Sequence, residues 1–160
     1  MTMSLPRLYV ETTVPSYLTA RRSRDLQLAA DQQTTEDWWS NHRQRYECFV
    51  SPVVVDEVAR GDAFLASARL ARLAGLTVLP VNDAAQELTV RLLREGIIPS
   101  IAASDASHLA IAAAHAMDFL LTWNCKHINN PHLIRRIEHA CAAVGLVCPI
   151  ICTPAELMIP

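Results

Sequence analysis

Apolar residues occur in five short runs that alternate along the chain with longer segments of helical composition. The short runs are rich in β-branched, aromatic and leucine residues and lie between turn or capping residues, which is typical of strands. We predict strands at 8–10, 48–51, 77–79, 119–122 and 150–152. The segments between them are rich in residues that favour helices, such as alanine, leucine, glutamine and glutamate. We predict helices at 25–45, from 52 to about 61, at 63–74, 83–95, 105–115 and 132–144, with a further helix starting just beyond Pro15.

Small polar residues mark where several of these helices begin. Ser51 followed by Pro52 is a helix-entry signal, because serine caps the first N–H groups and proline is tolerated at the first helical position. Asn82 or Asp83 can cap the next long helix, and Ser104 the alanine-rich helix that follows it. These signals divide the chain into successive strand and helix units.

The alternation of strands and helices determines the expected fold class. Parallel neighbouring strands need a crossover connection of about a dozen residues or more, usually a helix, and the helices then cover the faces of the sheet. No repeat or linker divides the chain, and its 160 residues fit one domain. We therefore predict a single domain over residues 1–160, a three-layer α/β/α sandwich with a central, mostly parallel sheet of about five strands.

The composition excludes several classes of protein. With 51% hydrophobic residues and only four glycines, the chain is neither disordered nor collagen-like. Its 14 basic residues, of which Lys126 is the only lysine, and its 16 acidic residues give a net charge of −2. A protein that grips nucleic acid by bulk electrostatics carries a strong basic excess, so that mode of binding is excluded.

The cysteines and the apolar segments indicate a cytoplasmic protein. Five cysteines without a CxxC pair favour reduced, mostly buried thiols over a disulfide framework or a zinc ribbon. The first residues lack the charged flank and apolar stretch of a secretory signal. The most apolar segment, 109–121, is interrupted by His115 and Asp118 and falls short of the ~20 residues of a membrane span. We therefore expect no membrane association.

Acidic and amide side chains lie beyond the ends of several predicted strands. Glu11 follows the first strand and Asn124 follows the fourth. Asp105 lies in the first turn of its helix, and Glu57 lies in the helix after the second strand. Ligand sites of open parallel sheets form at the carboxyl ends of the strands, so these side chains can meet at one edge. Clustered carboxylates repel one another unless a cation joins them, and oxygen ligands favour Mg²⁺ or Mn²⁺.

Four segments of the chain resemble the motifs of PIN-domain ribonucleases and occur in that family's order. They are LYVETTVPSY at 8–17, SPVVVDEV at 51–58, SDASHLAIAAA at 104–114 and FLLTWN at 119–124. The first three are similar to the segments that carry the family's first three acids, and the fourth is similar to its final strand with a T-x-D ending. Each match is weak alone, and four in order are specific. Within the family, the chain most resembles the VapC-like toxins of bacterial toxin–antitoxin pairs.

The resemblance implies metal-assisted hydrolysis of RNA, with products ending in 5′-phosphate and 3′-hydroxyl. For catalysis it implies four residues: Glu11, Glu57, Asp105 and Asn124. The three acids among them, Glu11, Asp105 and Glu57, would also bind Mg²⁺ or Mn²⁺. Thr12 and Lys126 would contact the substrate. Glu11 and Asp105 would hold the cation partly through water, and Glu57 would act through water or orient the nucleophile. The resemblance also implies a homodimer and an antitoxin protein whose tail crosses the acidic site.

Two positions depart from the family's pattern. Glu11 stands where aspartate is usual, which lengthens the side chain by one methylene group. Asn124 stands where the fourth acid is usual, which leaves a neutral oxygen ligand or a hydrogen-bond donor. The second departure motivates an alternative function, a catalytically impaired PIN scaffold that only binds RNA or a protein. A phosphatase with Glu11 as covalent nucleophile is a weaker alternative, because a second acid near Glu11 is missing.

Several of these residues also have ordinary structural interpretations. Asp105 could simply cap its helix, although the family's pattern favours a ligand. His108 is near Asp105 on one helix face, and a histidine packed in this apolar helix is favoured over a ligand. Asp118 precedes the fourth strand, so we expect it at the opposite edge of the sheet as a loop cap. Lys126 could equally contact a phosphate or face solvent.

A basic cluster and a pair of tryptophans leave further alternatives. Arg21, Arg22 and Arg24 lie in a predicted loop, where they could guide RNA, face a partner or simply be solvated. Trp38 and Trp39 are adjacent in one helix and cannot both point into one core. We expect one in the core and the other on a surface for a second copy or an antitoxin.

Overall fold

The computed structural model describes residues 3–158, which form one five-stranded sheet and seven α-helices. The strands are β1 (Arg7–Val10), β2 (Glu47–Val50), β3 (Thr77–Val78), β4 (Phe119–Leu121) and β5 (Ile150–Cys152). The helices are α1 (Thr13–Thr19), α2 (Leu26–Asn41), α3 (Pro52–Val58), α4 (Ala63–Leu73), α5 (Asp83–Arg94), α6 (Ala103–Ala114) and α7 (Pro131–Ala143). Short 3₁₀ turns at Arg43–Arg45 and Ser100–Ala102 precede β2 and α6.

The first strand lies at the centre of the sheet. The strand order is β3-β2-β1-β4-β5, and every pair of neighbours is parallel. Leu8 of β1 pairs with Cys48 of β2 on one side and with Phe119 of β4 on the other. The helices flank the sheet, so the predicted three-layer α/β/α fold with about five parallel strands is confirmed.

The hydrophobic core lies along the central strands. Leu8, Tyr9 and Val10 of β1 have no exposed surface, and neither do Leu120 and Leu121 of β4. Parallel strands covered by helices on both faces read as continuous apolar runs rather than alternating ones, and these two strands follow that pattern. Because both faces of β1 and β4 are buried, only their ends can present polar side chains to solvent.

The predicted helix caps at Ser51 and Asn82 are confirmed. The Ser51 hydroxyl accepts a hydrogen bond from the Val54 N–H at 3.4 Å, at the start of α3. The Asn82 side chain accepts one from the Ala85 N–H at 2.9 Å, at the start of α5. Each bond satisfies an N–H group that the first turn of a helix leaves without an internal partner.

The predicted cap at Ser104 is wrong. The 3₁₀ turn Ser100–Ala102 leads directly into α6, so the helix begins at Ala103 and Ser104 lies inside its first turn. No side chain caps this end of the helix. The Ser104 hydroxyl instead lies near the carboxylate of Glu57 and helps to lower the pKa of that group. The side chain therefore belongs to the edge of the sheet where the acidic residues lie.

Three other helix boundaries differ from the sequence pattern by more than one residue, and one of them is the end of α3 at Val58 rather than near residue 61. Helix α1 begins at Thr13, so Pro15 occupies its third position, where the missing N–H of proline is not needed for a helical hydrogen bond. Helix α2 ends at Asn41 rather than at residue 45, because the last residues tighten into the separate turn Arg43–Arg45. The five strands lie within one residue of their predicted bounds.

Both tryptophans of α2 are buried, which corrects the prediction that one of them faces a partner. Trp38 has no exposed surface, and its ring packs against Tyr46 with the ring centroids 5.7 Å apart. Trp39 is 8% exposed, and the guanidinium group of Arg43 lies over its ring, 4.7 Å from the centroid. Successive helix positions do point in different directions, but the chain itself covers the second ring.

The five cysteines all lie among the described residues and differ in their exposure. The five cysteines are free thiols: Cys141 and Cys152 are buried, Cys48 and Cys148 are half-buried, and Cys125 is exposed. Between residues 3 and 158, no helix is both long enough and apolar enough to span a membrane.

Leu120→Ala tests the packing at the centre of the sheet. Leu120 is fully buried, so truncation leaves a cavity and should lower the free energy of unfolding by about 2–5 kcal/mol. Leu26→Ala is the matched control, because Leu26 is 87% exposed and its truncation should change stability by less than about 0.5 kcal/mol. Urea denaturation of both variants measures the difference. Equal losses would contradict the burial of β4.

Candidate active site

The acidic residues lie where the connections of the sheet change direction. From β1 the chain runs to β2 and β3 on one side, and β4 and β5 lie on the other. In open parallel sheets a crevice forms outside the carboxyl ends of the strands at such a switch point. Glu11 follows β1, and Thr122 and Asn124 follow β4, its neighbour. The Glu11 N–H also donates to the Leu121 carbonyl at 3.1 Å, which continues the β1–β4 pairing into the site.

The carboxylate of Glu11 is buried and held by hydroxyl groups. Glu11 is 3% exposed, and its Oε2 accepts hydrogen bonds from the Thr13 N–H at 3.0 Å, the Thr13 hydroxyl at 2.5 Å and the Thr122 hydroxyl at 2.8 Å. Burial raises the pKa of Glu11 above its ordinary value, although His108 and these hydrogen bonds act in the opposite direction. The site therefore contains a carboxyl group whose ionisation costs free energy unless further positive charge is near.

Glu57 is oriented by a buried histidine and a threonine. Its Oε1 lies 2.5 Å from the Nε2 of His108 and accepts a hydrogen bond from the Thr12 hydroxyl at 2.8 Å. Burial alone would raise the pKa of Glu57, but the hydrogen bond and charge interaction with His108 outweigh it and hold the pKa below its ordinary value. Glu57 therefore stays ionised more readily than Glu11.

His108 connects Glu57 to a buried chain of hydroxyl groups. The ring is fully buried, and its Nδ1 lies 2.7 Å from the hydroxyl of Tyr9. That hydroxyl lies 2.7 Å from the Ser51 Oγ. Burial raises the pKa of Tyr9. The prediction of a packed histidine is thus confirmed, and both ring nitrogens have polar partners as buried polar groups require.

Asp105 pairs with a second histidine, which the sequence pattern did not indicate. The Nδ1 of His127 lies 2.9 Å from the Oδ2 of Asp105, and the two side chains are 20% and 16% exposed. Asn124 holds the turn that carries this histidine, since its Oδ1 accepts the His127 N–H at 3.0 Å. The Asn124 N–H donates to the Thr122 hydroxyl at 2.9 Å. The side-chain oxygen of Asn124 is therefore engaged within the protein.

The remaining predicted residues are distributed around the site. Thr12 lies at the start of α1 and contacts Glu57 rather than open solvent. Lys126 is exposed on the turn between Asn124 and α7, and its role toward substrate stays a prediction. Asp118 precedes β4 and accepts a hydrogen bond from the Arg7 N–H at 2.8 Å. Its predicted place at the opposite edge of the sheet is confirmed.

The basic cluster lies in the predicted loop between α1 and α2. The guanidinium group of Arg22 donates to the Ala29 carbonyl and to the Gln33 side chain, both at 3.0 Å, and so attaches the loop to α2. Arg21 and Arg24 are exposed. Arg22 is accordingly a structural residue, and the other two remain available to a partner or to solvent.

An aromatic pair borders the site beside Glu11. The rings of Tyr17 and Trp123 are stacked, with centroids 5.5 Å apart and planes 8° from parallel. The Trp123 N–H donates to the Thr13 hydroxyl and its indole N–H donates to the Thr35 hydroxyl, both at 2.8 Å. These bonds tie the segment after β4 to α1 and α2 and so fix the wall of the site.

The donor chemistry of the site fits a hard divalent cation. Oxygen ligands dominate, and neither the Oε1 of Glu11 nor the Oδ1 of Asp105 receives a hydrogen bond from any described residue. Within residues 3–158, however, no three His, Cys, Asp or Glu side chains are grouped closely enough to hold one ion directly. Mg²⁺ commonly keeps several waters and uses only one or two carboxylates, so a water-mediated site fits this arrangement.

Three contacts of the site had no recognisable signal in the sequence. His127 and Asp105 are 22 positions apart in the sequence. Thr122 and Glu11 are 111 positions apart, and His108 and Tyr9 are 99 positions apart. Threonine and histidine near a strand end are common, and only the folded chain shows which carboxylate each one meets.

Comparison with known proteins identifies the fold. No protein-family model matches the sequence, and no curated protein is significantly similar to it. The solved structures contain a match, a chain in the crystal structure of VapBC2 from Rickettsia felis bound to a DNA fragment from their promoter. It aligns with a TM-score of 0.55 and 16% sequence identity over 91% of this chain and 97% of that chain. The chain therefore shares its fold with a chain of that structure, in agreement with the α/β/α fold that the resemblance of its four motifs implies.

Proposed function

We propose that the protein is a metal-dependent endoribonuclease that hydrolyses RNA phosphodiester bonds. The observation that carries the proposal is the placement of Glu11, Glu57 and Asp105 around the carboxyl edge of a VapC-like PIN fold, each held by its own hydrogen-bond donors. Mg²⁺ or Mn²⁺ is the proposed cofactor, because the donors are oxygens and one oxygen each of Glu11 and Asp105 accepts no hydrogen bond from a described residue.

Each acidic residue has a separate part in the proposed reaction. Glu11 and Asp105 would hold the cation, partly through water, and the bound cation would polarise the scissile phosphate and activate a water molecule. Glu57, whose Oε1 is fixed by His108 and Thr12, would orient the attacking water. Lys126 is exposed beside the site and would contact a phosphate of the RNA. The positions of these groups are set before substrate binds, which favours catalysis.

The proposed biological setting is a toxin–antitoxin pair in the cytoplasm. The structural neighbour is a VapBC2 assembly bound to promoter DNA, and this supports a cognate antitoxin for the present chain. A chain segment of that antitoxin would cross the acidic edge and keep RNA away from it. A homodimer is proposed as well, and the ring of Trp39 would not supply its surface, because Arg43 already covers that ring.

A catalytically impaired PIN scaffold is the second candidate function. It is favoured by the lack of a direct three-ligand group within residues 3–158 and by the engaged oxygen of Asn124. Such a scaffold would bind RNA or a protein without cutting. Isothermal calorimetry distinguishes the two functions: the scaffold requires no Mn²⁺ binding together with no cleavage.

The nuclease function predicts cation-dependent cleavage of RNA by the purified protein. Mg²⁺ or Mn²⁺ should support cleavage, EDTA should stop it, and Asp105→Asn should lower kcat by roughly 100-fold or more, as expected when several kcal/mol of charge stabilisation are lost. Gel analysis of a labelled RNA measures the rate. Asp118→Asn is the control, because this carboxylate lies at the opposite edge of the sheet. Full activity in Asp105→Asn would rule out the proposed role of that residue.

The raised pKa of Glu11 predicts a pH-dependent gain in stability for Glu11→Gln. Because the folded-state pKa lies above the unfolded value, the cost of the buried charge is absent below pH ~4.5 and complete once the pH exceeds the folded pKa. At pH 7.5 without divalent cations, the variant should melt about 2–4 °C higher than wild type, and at pH 4 the two should converge.

Added Mn²⁺ completes this measurement. It should raise the Tm of the wild type and have little effect on Glu11→Gln, because ligands that bind only the folded state stabilise it. An equal rise in both proteins would show that Glu11 does not hold the cation.

A further inference from the structure

The pair formed by Asp105 and His127 fixes the orientation of an imidazole ring beside a proposed metal ligand. The Nδ1 of His127 and the Oδ2 of Asp105 are 2.9 Å apart, and both side chains are mostly buried, at 20% and 16% exposure. A hydrogen bond to a charged group in this partly buried position is stronger than one at a fully exposed surface. The ring is therefore held in one orientation rather than free to rotate.

The same bond determines where the proton of the ring lies. An ionised carboxylate only accepts hydrogen bonds, so the Nδ1 of His127 must donate to Asp105. In the neutral imidazole, the lone pair is then on Nε2. No described residue forms a hydrogen bond with this Nε2. The site thus contains an oriented acceptor atom that the protein itself leaves free.

Asn124 sets the position of this histidine through the backbone. Its Oδ1 accepts the His127 N–H at 3.0 Å, and its carbonyl accepts the Asn129 N–H at 2.8 Å, so both bonds close the turn. Its own N–H donates to the Thr122 hydroxyl, which donates to the buried Glu11. A continuous set of hydrogen bonds therefore joins the backbone of His127 to the carboxylate at the centre of the site.

The other histidine of the site shows what distinguishes His127. Both nitrogens of His108 are engaged, Nδ1 with Tyr9 and Nε2 with Glu57, and the ring has no exposed surface. His108 can therefore orient Glu57 but cannot reach a substrate. His127 is oriented by the same kind of bond, yet it keeps one nitrogen free and part of its ring accessible.

We propose that His127 is a further catalytic residue of the hydrolysis, with its Nε2 accepting a hydrogen bond from the attacking water. Asn124 is its positioning residue, and Asp105 fixes its tautomer. The inference rests on the nuclease function proposed above. It adds to that function an oriented imidazole nitrogen beside Asp105.

Kinetics of RNA cleavage test the role of His127. His127→Ala should lower kcat by about 100-fold with little change in KM, as is usual for loss of a group that acts on the proton of a nucleophile. Added imidazole should restore part of the rate, which it would not do for a purely structural residue. His139→Ala is the matched control and should keep wild-type activity, because His139 is exposed on α7 and takes part in no described hydrogen bond.

Two variants of Asn124 test the positioning. Asn124→Asp keeps an oxygen that can accept the His127 N–H, so its kcat should fall less than that of Asn124→Ala. Asn124→Ala removes that oxygen, and loss of one hydrogen bond of this kind should lower kcat by about tenfold. Equal activity of the two variants would overturn the role of Asn124.

Nitrogen-15 NMR of the imidazole provides a measurement that does not depend on cleavage. The wild type should show His127 protonated at Nδ1, and Asp105→Asn should shift the proton toward Nε2. A wild-type protein whose His127 is protonated at Nε2 overturns the inference, whatever its activity.

The kinetic results separate this inference from the proposed function. If the wild type cuts RNA and the His127→Ala variant is equally active, the inference is overturned and the proposed function stands. A wild type that cuts no RNA with Mn²⁺ overturns the proposed function and this inference with it.

Discussion

The need to satisfy one buried carboxylate organises the site. Glu11 is almost fully buried, and a carboxylate removed from water needs hydrogen-bond donors or a nearby charge. Its Oε2 obtains three donors, two from Thr13 at the start of α1 and one from Thr122 at the end of β4. The two hydroxyls in turn accept the N–H groups of Trp123 and Asn124. The hydrogen bonds to the Glu11 carboxylate therefore fix both the start of α1 and the path of the chain beyond β4.

The two imidazoles explain how three carboxylates can lie around one edge without an ion joining them. The ring of His108 forms a hydrogen bond with one oxygen of Glu57, and the ring of His127 forms one with an oxygen of Asp105. Each carboxylate is turned toward its own donor, which reduces mutual repulsion and also accounts for the lack of a direct three-ligand group in residues 3–158. The arrangement holds the acids in place with the chain's own groups, and it leaves the Oε1 of Glu11 and the Oδ1 of Asp105 without donors from residues 3–158.

The fold was largely predictable because it depends on local patterns. Apolar runs separated by helical segments predicted five strands within one residue of their bounds and a parallel sheet between helices. The rule for carboxyl ends of strands placed Glu11 and Asn124 at the same edge. Neither the order of the strands nor the partners of single side chains follows from such patterns. The packing of Arg43 over Trp39 and the pairing of His127 with Asp105 depend on tertiary contacts. The start of α6 before Ser104 follows from the 3₁₀ turn that leads into it, which the capping pattern did not indicate.

The central position of β1 has a consequence for the order in which the protein is made. Of the five strands described, β1 is synthesised before the others and lies in the middle of the sheet, and Glu11 lies 111 residues before its partner Thr122. A growing chain therefore carries Glu11 and Glu57 long before the groups that orient the site. Contacts this distant in sequence form late in folding, since a long loop must close first. An incomplete chain on the ribosome, or a fragment released early, contains Glu11 and Glu57 but lacks the residues that complete the candidate active site. Translation therefore delays the assembly of this site until nearly the whole domain has been made.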